Sequence, residues 1–233
     1  MRYRRHEVEA CYARLRNATE PVDWKGRPFH DFDLREFLDE VLPTLSFGTG
    51  EPRAFEYGTG TGPGACYLAE RGFHVDAIDT SPSAIELARS FAARRGLEIA
   101  FAVADVTQLD RPGRKYDLVV DNFCLHNLIT DEERRRTLAL AQDLLRPGGY
   151  FVVGTSVFRP DRNYGGDIRD EESGIVYRRL ESAGDFEDEV TIDGTSYYAR
   201  VRHLSFSRLR EELEAAGFRI VHQNERGRLL CKP

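Results

Sequence analysis

Residues 54–81 read AFEYGTGTGPGACYLAERGFHVDAIDTS, and the rest of the predicted fold is built around this stretch. It predicts a buried strand over residues 54–57, a glycine-rich turn, a helix and a second strand that ends at Asp79. Glycine stands at every second position from Gly58 to Gly64, and without a Cβ such a turn lets backbone N–H groups approach a ligand closely. A carboxylate at the tip of the second strand can accept two hydrogen bonds from a ribose diol. The stretch therefore predicts a site for an adenosine-containing cofactor.

Composition limits the class of protein. The chain has 233 residues and a net charge of −6, which fits one domain with an embellishment and argues against a nucleic-acid partner. No apolar run approaches the roughly 20 residues that span a bilayer, and the N-terminus lacks the apolar core of a signal peptide. Four scattered cysteines fit free thiols in a reducing cytosol better than disulfides or zinc. We therefore expect a cytoplasmic protein with neither a nucleic-acid nor a membrane partner.

Strands and helices alternate from residue 53 to residue 157. Ser81-Pro82 is typical of a helix start, and Thr130 with Glu133 forms a capping box that opens a later helix. Further strands are predicted over residues 98–104, 116–121 and 150–157. This alternation predicts an α/β fold, doubly wound, with a mostly parallel sheet covered by helices on both faces.

The flanking segments depart from this pattern. Residues 1–52 are predicted to form an N-terminal helical lid, although helices that merely cover the sheet are an equal alternative. Residues 158–204 are predicted as an antiparallel β insertion, with a loop over 158–172 and extended segments over 175–182, 186–192 and 196–204, the last two joined at Asp193-Gly194. Residues 205–233 return to the main domain, which otherwise spans 53–157, with a helix over 206–216 and strands over 218–223 and 228–231.

Acidic residues decide between possible cofactors. The frame Gly60-x-Gly62-x-x-Ala65 satisfies a relaxed dinucleotide pattern, so an NAD(P)-linked oxidoreductase is one hypothesis. However, Glu56 stands two residues before the first glycine, where it would repel a pyrophosphate and would suit a cofactor that carries positive charge. Asp105 ends the third strand, where it can accept a hydrogen bond from an adenine amino group, and Asp121-Asn122 ends the fourth. Acids and glycines without a phosphate-neutralising lysine or arginine predict a pocket for a cationic nucleoside.

These residues resemble the class I S-adenosylmethionine-dependent methyltransferases over about residues 53–157 and 205–231. The resemblance implies a seven-stranded sheet with a C-terminal antiparallel hairpin, and it assigns Asp79 to the ribose and Asp105 to the adenine, with Val106 beside the ring. Residues 145–150, LRPGGY, match the family's helix stop before strand five. The cofactor-binding residues that we predict on this basis are Glu56, Gly58, Thr59, Gly60, Gly62, Asp79, Thr80, Asp105, Val106, Asp121 and Asn122.

The resemblance says less about the methyl acceptor. The Asn-Pro-Pro-Tyr type of motif that methylates nucleic-acid amino groups is absent, since residues 121–124 are Asp-Asn-Phe-Cys, and neither paired acids nor another metal site is evident. With the acidic composition, this favours transfer to an N or O atom of a small molecule. The insertion resembles that of small-molecule N-methyltransferases, in which such sheets line the acceptor site or form a homodimer interface. A non-catalytic S-adenosylmethionine-binding interaction protein is a further alternative.

Methyl transfer needs alignment of two reactants, and it needs a base only when the acceptor must lose a proton. His126, just beyond strand four, is the predicted base, and a structural histidine is the equal alternative; His30 and His203 rank below it. The basic run over residues 134–136 is predicted to be a solvated helix face. An aromatic wall that would favour a cationic amine and the sulfonium could be built from Trp24, Phe29, Tyr164, Tyr177, Tyr197 and Tyr198, although ordinary packing is the favoured interpretation of each one separately.

Overall fold

A computed structural model describes residues 3–110, 113–181 and 186–233. The elements in chain order are α1 (Tyr3–Arg14), α2 (Arg35–Val41), β1 (Arg53–Tyr57), α3 (Pro63–Ala69), β2 (His74–Asp79), α4 (Pro82–Arg94), β3 (Ala100–Val103), β4 (Tyr116–Asn122), α5 (Asp131–Leu144), β5 (Leu145–Gly154), β6 (Ile168–Arg169), β7 (Ile175–Arg179), β8 (Glu189–Ile192), β9 (Thr195–Arg202), α6 (Phe206–Ala215), β10 (Arg219–Gln223) and β11 (Leu229–Lys232).

The central sheet has seven strands in the order β10-β11-β5-β4-β1-β2-β3. Strands β1 to β5 pair in parallel, whereas β11 runs antiparallel to both β5 and β10. This confirms the predicted α/β fold and its C-terminal hairpin. The strand order reverses between β1 and β4, where Tyr57 is paired with Asp121. In open α/β sheets, ligands bind outside the carboxyl ends of the strands at such a switch point.

Alternate residues of the central strands face opposite layers. Leu118 and Val120 pack with α3, α4 and the N-terminal segment, whereas Val119 packs with α5 and α6. Helix α4 begins as predicted, because the Ser81 hydroxyl accepts a hydrogen bond of 3.1 Å from the Ala84 N–H. The predicted capping box of Thr130 and Glu133 at the start of α5 is also present.

The predicted antiparallel insertion forms a second sheet in the order β6-β7-β9-β8. Asp193 and Gly194 make the predicted turn between β8 and β9, with φ values of 49° and 73°. The loop predicted over residues 158–172 is corrected in part, because Ile168 pairs with Tyr177 and forms the short strand β6. Ser182, the last residue of one predicted strand, lies outside the described residues.

Residues 3–52 cover one face of the main domain. The Thr61 hydroxyl donates a hydrogen bond of 2.6 Å to the Val22 carbonyl, Arg16 donates one of 3.0 Å to the Ser83 hydroxyl, and the Ser81 hydroxyl bonds to the carboxylate of Glu9 on α1. These contacts place α1 over the start of α4, beside the glycine-rich turn. Residues 1–2 of the predicted first helix lie outside the described residues, among which no helix has the length and apolar character to cross a membrane.

The prediction of a solvated face over residues 134–136 is wrong for Arg134, which is only 2% exposed. Its Nε and Nη2 donate hydrogen bonds of 2.6 and 2.5 Å to the two carboxylate oxygens of Glu212 on α6, and Nη1 donates one of 2.7 Å to the Leu125 carbonyl. The sequence pattern missed this pair because Glu212 lies far away in the chain. Arg135 and Arg136 are exposed, as predicted.

Candidate functional site

Glu56 is fully buried beneath the glycine-rich turn. Its Oε2 accepts a hydrogen bond of 2.5 Å from the Thr59 hydroxyl, and its Oε1 accepts one of 2.9 Å from the side-chain amide of Asn122. Burial raises the pKa of Glu56 to about 7, against the opposing effect of these hydrogen bonds. A buried carboxylate would gain from a nearby positive charge, as the sequence predicts for this position.

Asp79 ties the turn to the ends of two neighbouring elements. Its Oδ2 accepts a hydrogen bond from the Gly60 N–H and its Oδ1 accepts one from the Ser81 N–H, both at 2.9 Å. Burial raises the pKa of this carboxyl, and the backbone hydrogen bonds act in the opposite direction. Gly62, at the end of the turn, caps α3, while Thr80 beside Asp79 is exposed.

Two of the glycines permit close packing of the turn against protein groups. A Cβ at Gly58, where φ is +68°, would lie 2.5 Å from Cβ of Cys124. A Cβ at Gly64 would overlap the Glu56 carboxylate. The turn therefore encloses Glu56 from above while the segment after β4 closes on it from the side.

The end of β3 lies beside the end of β2, because the Ala104 N–H donates a hydrogen bond of 3.0 Å to the Asp79 carbonyl. Asp105 follows, and its Oδ1 accepts hydrogen bonds from the Thr107 N–H at 3.0 Å and from the Thr107 hydroxyl at 2.7 Å. Asp105 is half-buried and Val106 is buried. The predicted ribose and adenine acids are thus brought to one edge of the sheet.

Asp121 directs its side chain to the opposite face of β4 from Asn122. Its side chain is fully buried on the α5 face of the sheet, where Oδ1 accepts hydrogen bonds of 2.9 Å from the Cys124 and Leu125 N–H groups. Burial raises its pKa to about 7. The carboxylate therefore shapes the segment after β4, and its neighbour Asn122 is the residue that faces Glu56.

His126 lies in a cluster of rings at the end of β4. Its ring centroid is 6.2 Å from that of Phe123 and 6.0 Å from that of His203. Phe123 has a φ of 58°, which is unusual for a residue with a side chain and directs the segment sharply after the strand. The Tyr164 hydroxyl is 3.1 Å from Nδ1 of His203. The structure therefore brings His126 together with His203, which follows β9, and with Tyr164 in the loop after β5.

His203 is buried, and burial lowers its pKa to about 3, with the positive charges of Arg162, Arg200 and Arg169 acting in the same direction. Its ring is therefore neutral across the physiological range. His30 lies elsewhere, exposed beside Asp31. The sequence could not foresee that His203 lies beside His126, because only the folding of the insertion brings the two rings together.

The six predicted aromatic residues do not share one set of contacts. Phe29 packs edge-on against Phe91 at 5.4 Å, and the Tyr198 hydroxyl donates a hydrogen bond of 2.9 Å to Glu7. Trp24 is 49% exposed. Tyr164 is the member of the set that contacts His203.

Comparison with known proteins agrees with this geometry. Residues 54–149 match the family model described as a methyltransferase domain. A curated relative, the 2-heptyl-1-hydroxyquinolin-4(1H)-one methyltransferase of Mycobacteroides abscessus, is 29% identical over 129 residues, which cover 52% of this chain and 55% of the relative. The chain spans about half the length of the curated relatives it matches.

Solved structures share the fold over most of the chain. The Burkholderia thailandensis 1,6-didemethyltoxoflavin-N1-methyltransferase, solved with 1,6-didemethyltoxoflavin and S-adenosylhomocysteine, is 22% identical, with a TM-score of 0.62 and coverage of 97% of this chain and 85% of that one. The amino pentose methyltransferase CalS10 of Micromonospora echinaspora, solved with S-adenosylmethionine, is 20% identical, with a TM-score of 0.60 and coverage of 89% and 92%. Residues 54–149 therefore resemble a methyltransferase domain, and the chain has the class I fold of these solved methyltransferases.

Proposed function

We propose that this protein is an S-adenosylmethionine-dependent methyltransferase that transfers a methyl group to an N or O atom of a small molecule. The observation that carries the proposal is the buried carboxylate of Glu56 beneath a glycine-rich turn that Asp79 anchors. A pyrophosphate would be repelled by this arrangement, whereas a cofactor with an ammonium and a sulfonium would be attracted. The family match over the same residues favours this function over an NAD(P)-linked oxidoreductase.

Every predicted cofactor-binding residue except Asp121 has a role in this proposal. Asp79 would accept hydrogen bonds from the ribose, Asp105 would accept one from the adenine amino group, and Val106 would pack on the ring. Glu56, beneath the glycine-rich turn, would compensate the positive charge on the amino-acid part of the cofactor. Asn122 holds the Glu56 carboxylate in place. Thr59 fixes the other carboxylate oxygen. The backbone from Gly58 to Gly62, with Thr80 at its side, would shape the remaining contacts.

When bound, the cofactor supplies an electrophilic methyl group on a positively charged sulfur. It would supply this methyl group to an acceptor lone pair, and the electron pair of the carbon–sulfur bond would stay on sulfur. The protein aligns the two reactants and excludes water, and such alignment can contribute about 7–11 kcal/mol. His126 would take the proton that the acceptor loses. General-base catalysis of this kind accelerates a reaction roughly 10²–10⁴-fold. Neutral His203 next to it adds no competing positive charge.

The main domain would span residues 53–157 and 205–233. Residues 1–52 would act as the lid over the cofactor, and residues 158–204 would line the acceptor site. A Cβ at Gly60 would lie 2.8 Å from the Tyr12 hydroxyl, so α1 reaches the turn itself.

We also propose a cytoplasmic location, because all four cysteines are free thiols. Alkylation in intact cells followed by mass spectrometry should find all four reduced; a disulfide would contradict this location.

Calorimetric titration tests the cofactor assignment. We expect saturable binding of S-adenosylhomocysteine to the wild type, no competition by NAD⁺, and binding at least tenfold weaker, about 1.4 kcal/mol, in Asp79→Asn. Asp76→Asn is the matched control on the same strand, since Asp76 bonds Tyr116 and Arg114 instead. Binding of NAD⁺ with no binding of S-adenosylhomocysteine would overturn the proposal.

The base assignment has its own test. His126→Asn should lower kcat by roughly 100-fold or more while S-adenosylhomocysteine affinity is retained, as expected for a group that acts on the acceptor proton. The exposed His30→Asn variant serves as the control. An unchanged kcat from pH 6 to 9 in His126→Asn would reject the base.

A further inference from the structure

A cavity of about 300 Å³ opens beside the ring cluster, at the carboxyl ends of β4 and β5. Three separate segments line it: Phe123 after β4, the residues from Thr155 to Arg162 after β5, and the turn between β10 and β11. The charged side chains of its lining are Arg159, Arg162, Arg226, Arg228 and a single acid, Asp161.

The positive charge of this cavity is only partly compensated. Arg159 lies 3.3 Å from Asp161, and Arg226 lies 2.6 Å from Glu36, with all four side chains more than 60% exposed. Such exposed pairs are weak and can be exchanged for a ligand. Within the described residues, neither Arg162 nor Arg228 has a carboxylate at ion-pair distance. The lining therefore carries an excess of positive charge on a chain whose net charge is −6.

Arg228 is the inner member of the four. Its guanidinium lies over the ring of Phe123, 5.0 Å from the centroid, and it is half-buried. Burial lowers its pKa, and the neighbouring charges of Arg226 and Arg159 act in the same direction, against the attraction of Asp33 and Glu36. Arg228 is a partly desolvated cation next to two other cations, so a bound anion would stabilise it.

The cavity adjoins the proposed reaction site on two sides. Phe123 follows Asn122, the partner of Glu56, and its other neighbour is the ring of His126. Arg162 lies 5.8 Å from the ring of Tyr164, which bonds His203. A molecule held by the arginines would therefore lie next to both the cofactor floor and the histidine pair.

We propose that the methyl acceptor carries an oxyanion group, a carboxylate or a phosphoryl group, which Arg159, Arg162, Arg226 and Arg228 bind while the rest of the molecule faces His126. This assignment rests on the proposed methyltransferase function and names its substrate class. Guanidinium groups bind both kinds of oxyanion with paired, charge-assisted hydrogen bonds. The positive lining would repel a cationic amine, the acceptor that an aromatic wall would have suited.

Binding of small probes to the protein saturated with S-adenosylhomocysteine tests this site. Methylphosphonate and propionate are titrated separately, with ethylammonium as the cationic probe. We expect saturable binding of at least one anion and none of the cation, and the two anion arms distinguish a phosphoryl from a carboxylate acceptor. Arg228→Met and Arg162→Met should each weaken anion binding at least fivefold, whereas Arg135→Met, at an exposed residue paired with Glu132, should not change it.

The outcomes separate this proposal from the function on which it rests. Arg162 is exposed, so its variant reports on the site even if Arg228→Met fails to fold. Retained S-adenosylhomocysteine binding with no saturable anion binding, or with binding unchanged in both arginine variants, overturns the anionic acceptor alone. Loss of S-adenosylhomocysteine binding by the wild type overturns the methyltransferase function and this assignment with it. Turnover of a panel of amines, with none of carboxylates or phosphonates, would also overturn the anionic acceptor.

Discussion

The side-chain amide of Asn122 donates a hydrogen bond of 2.9 Å to Oε1 of Glu56, and this bond joins the end of β4 to the floor of the glycine-rich turn. Because Glu56 and Asn122 belong to neighbouring parallel strands, the bond also links the cofactor side of the crevice to the segment that carries Phe123 and His126. One buried carboxylate thus couples the two halves of the proposed site.

Glu56→Gln should stabilise the free protein in alkaline solution and weaken cofactor binding. The pKa of Glu56 rises from 4.5 when unfolded to about 7 when folded. Between these values the folded protein binds more protons, so the contribution of Glu56 to stability falls as pH rises from about 4.5 to 7. The glutamine can bond Thr59 and Asn122 without this penalty, so we expect a gain on the order of 1–3 kcal/mol at pH 8 and little at pH 4.5.

Denaturant unfolding of the variant and the wild type at the two pH values measures this difference. Glu86→Gln, at an exposed position, is the control and should change neither stability nor binding. Equal effects at both pH values would contradict the raised pKa. Unchanged S-adenosylhomocysteine affinity in Glu56→Gln would remove Glu56 from the cofactor site.

Gly64→Ala should weaken cofactor binding indirectly. The added methyl group would overlap the Glu56 carboxylate, which Thr59 and Asn122 hold in place, so Glu56 must shift. We expect roughly tenfold weaker S-adenosylhomocysteine binding by calorimetry, equivalent to about 1.4 kcal/mol. Gly48→Ala, where a Cβ meets nothing within 4 Å, is the matched control. Full affinity in Gly64→Ala would show that the position of Glu56 is unimportant.

Arg134→Ala should destabilise the fold without touching the cofactor site. The variant removes a side chain that is only 2% exposed and leaves Glu212 without its bidentate partner. Breaking a buried ion pair of this kind costs about 3–5 kcal/mol. Arg135→Ala, next to it on the exposed face, should stay within about 0.5 kcal/mol of the wild type. Urea unfolding compares the two; equal losses would mean that the buried pair contributes nothing.

His203→Asn should reduce the loss of stability that the protein shows as pH falls. The pKa of His203 falls from 6.5 when unfolded to about 3 when folded, so the unfolded chain takes up a proton first and stability is lost as pH falls below 6.5. Between pH 7.5 and 5 the wild type should lose about 2 kcal/mol more than the variant. His30→Asn should behave as the wild type. If the free energy of unfolding changed with pH in the same way in His203→Asn and in the wild type, His203 would carry a charge in the folded protein.

Local patterns predicted the sheet well, and they placed Glu56, the glycine-rich turn and Asp79 together at one edge of it. Glu56, Gly58 and Asp79 stand close together in one strand–turn–helix–strand unit, so spacing alone locates them relative to each other. Capping at Ser81 and Thr130 depends on neighbouring residues and was equally accessible.

Contacts between distant segments were not predictable in the same way. Arg134 reaches Glu212, and His126 reaches His203, across many intervening residues that carry no periodic signal. The arginines of the cavity come from two segments whose basic residues look like ordinary surface charge in the sequence. The sequence placed Asp121 and Asn122 together at the end of β4 and did not show that only Asn122 contacts Glu56.

A crystal structure with S-adenosylhomocysteine would test the proposed cofactor site. We expect the ribose hydroxyls at hydrogen-bond distance from Asp79, the adenine between Asp105 and Val106, and the amino-acid end above Glu56, with the sulfur directed toward His126. A ligand bound elsewhere on the chain, or one whose ribose does not contact Asp79, would contradict it.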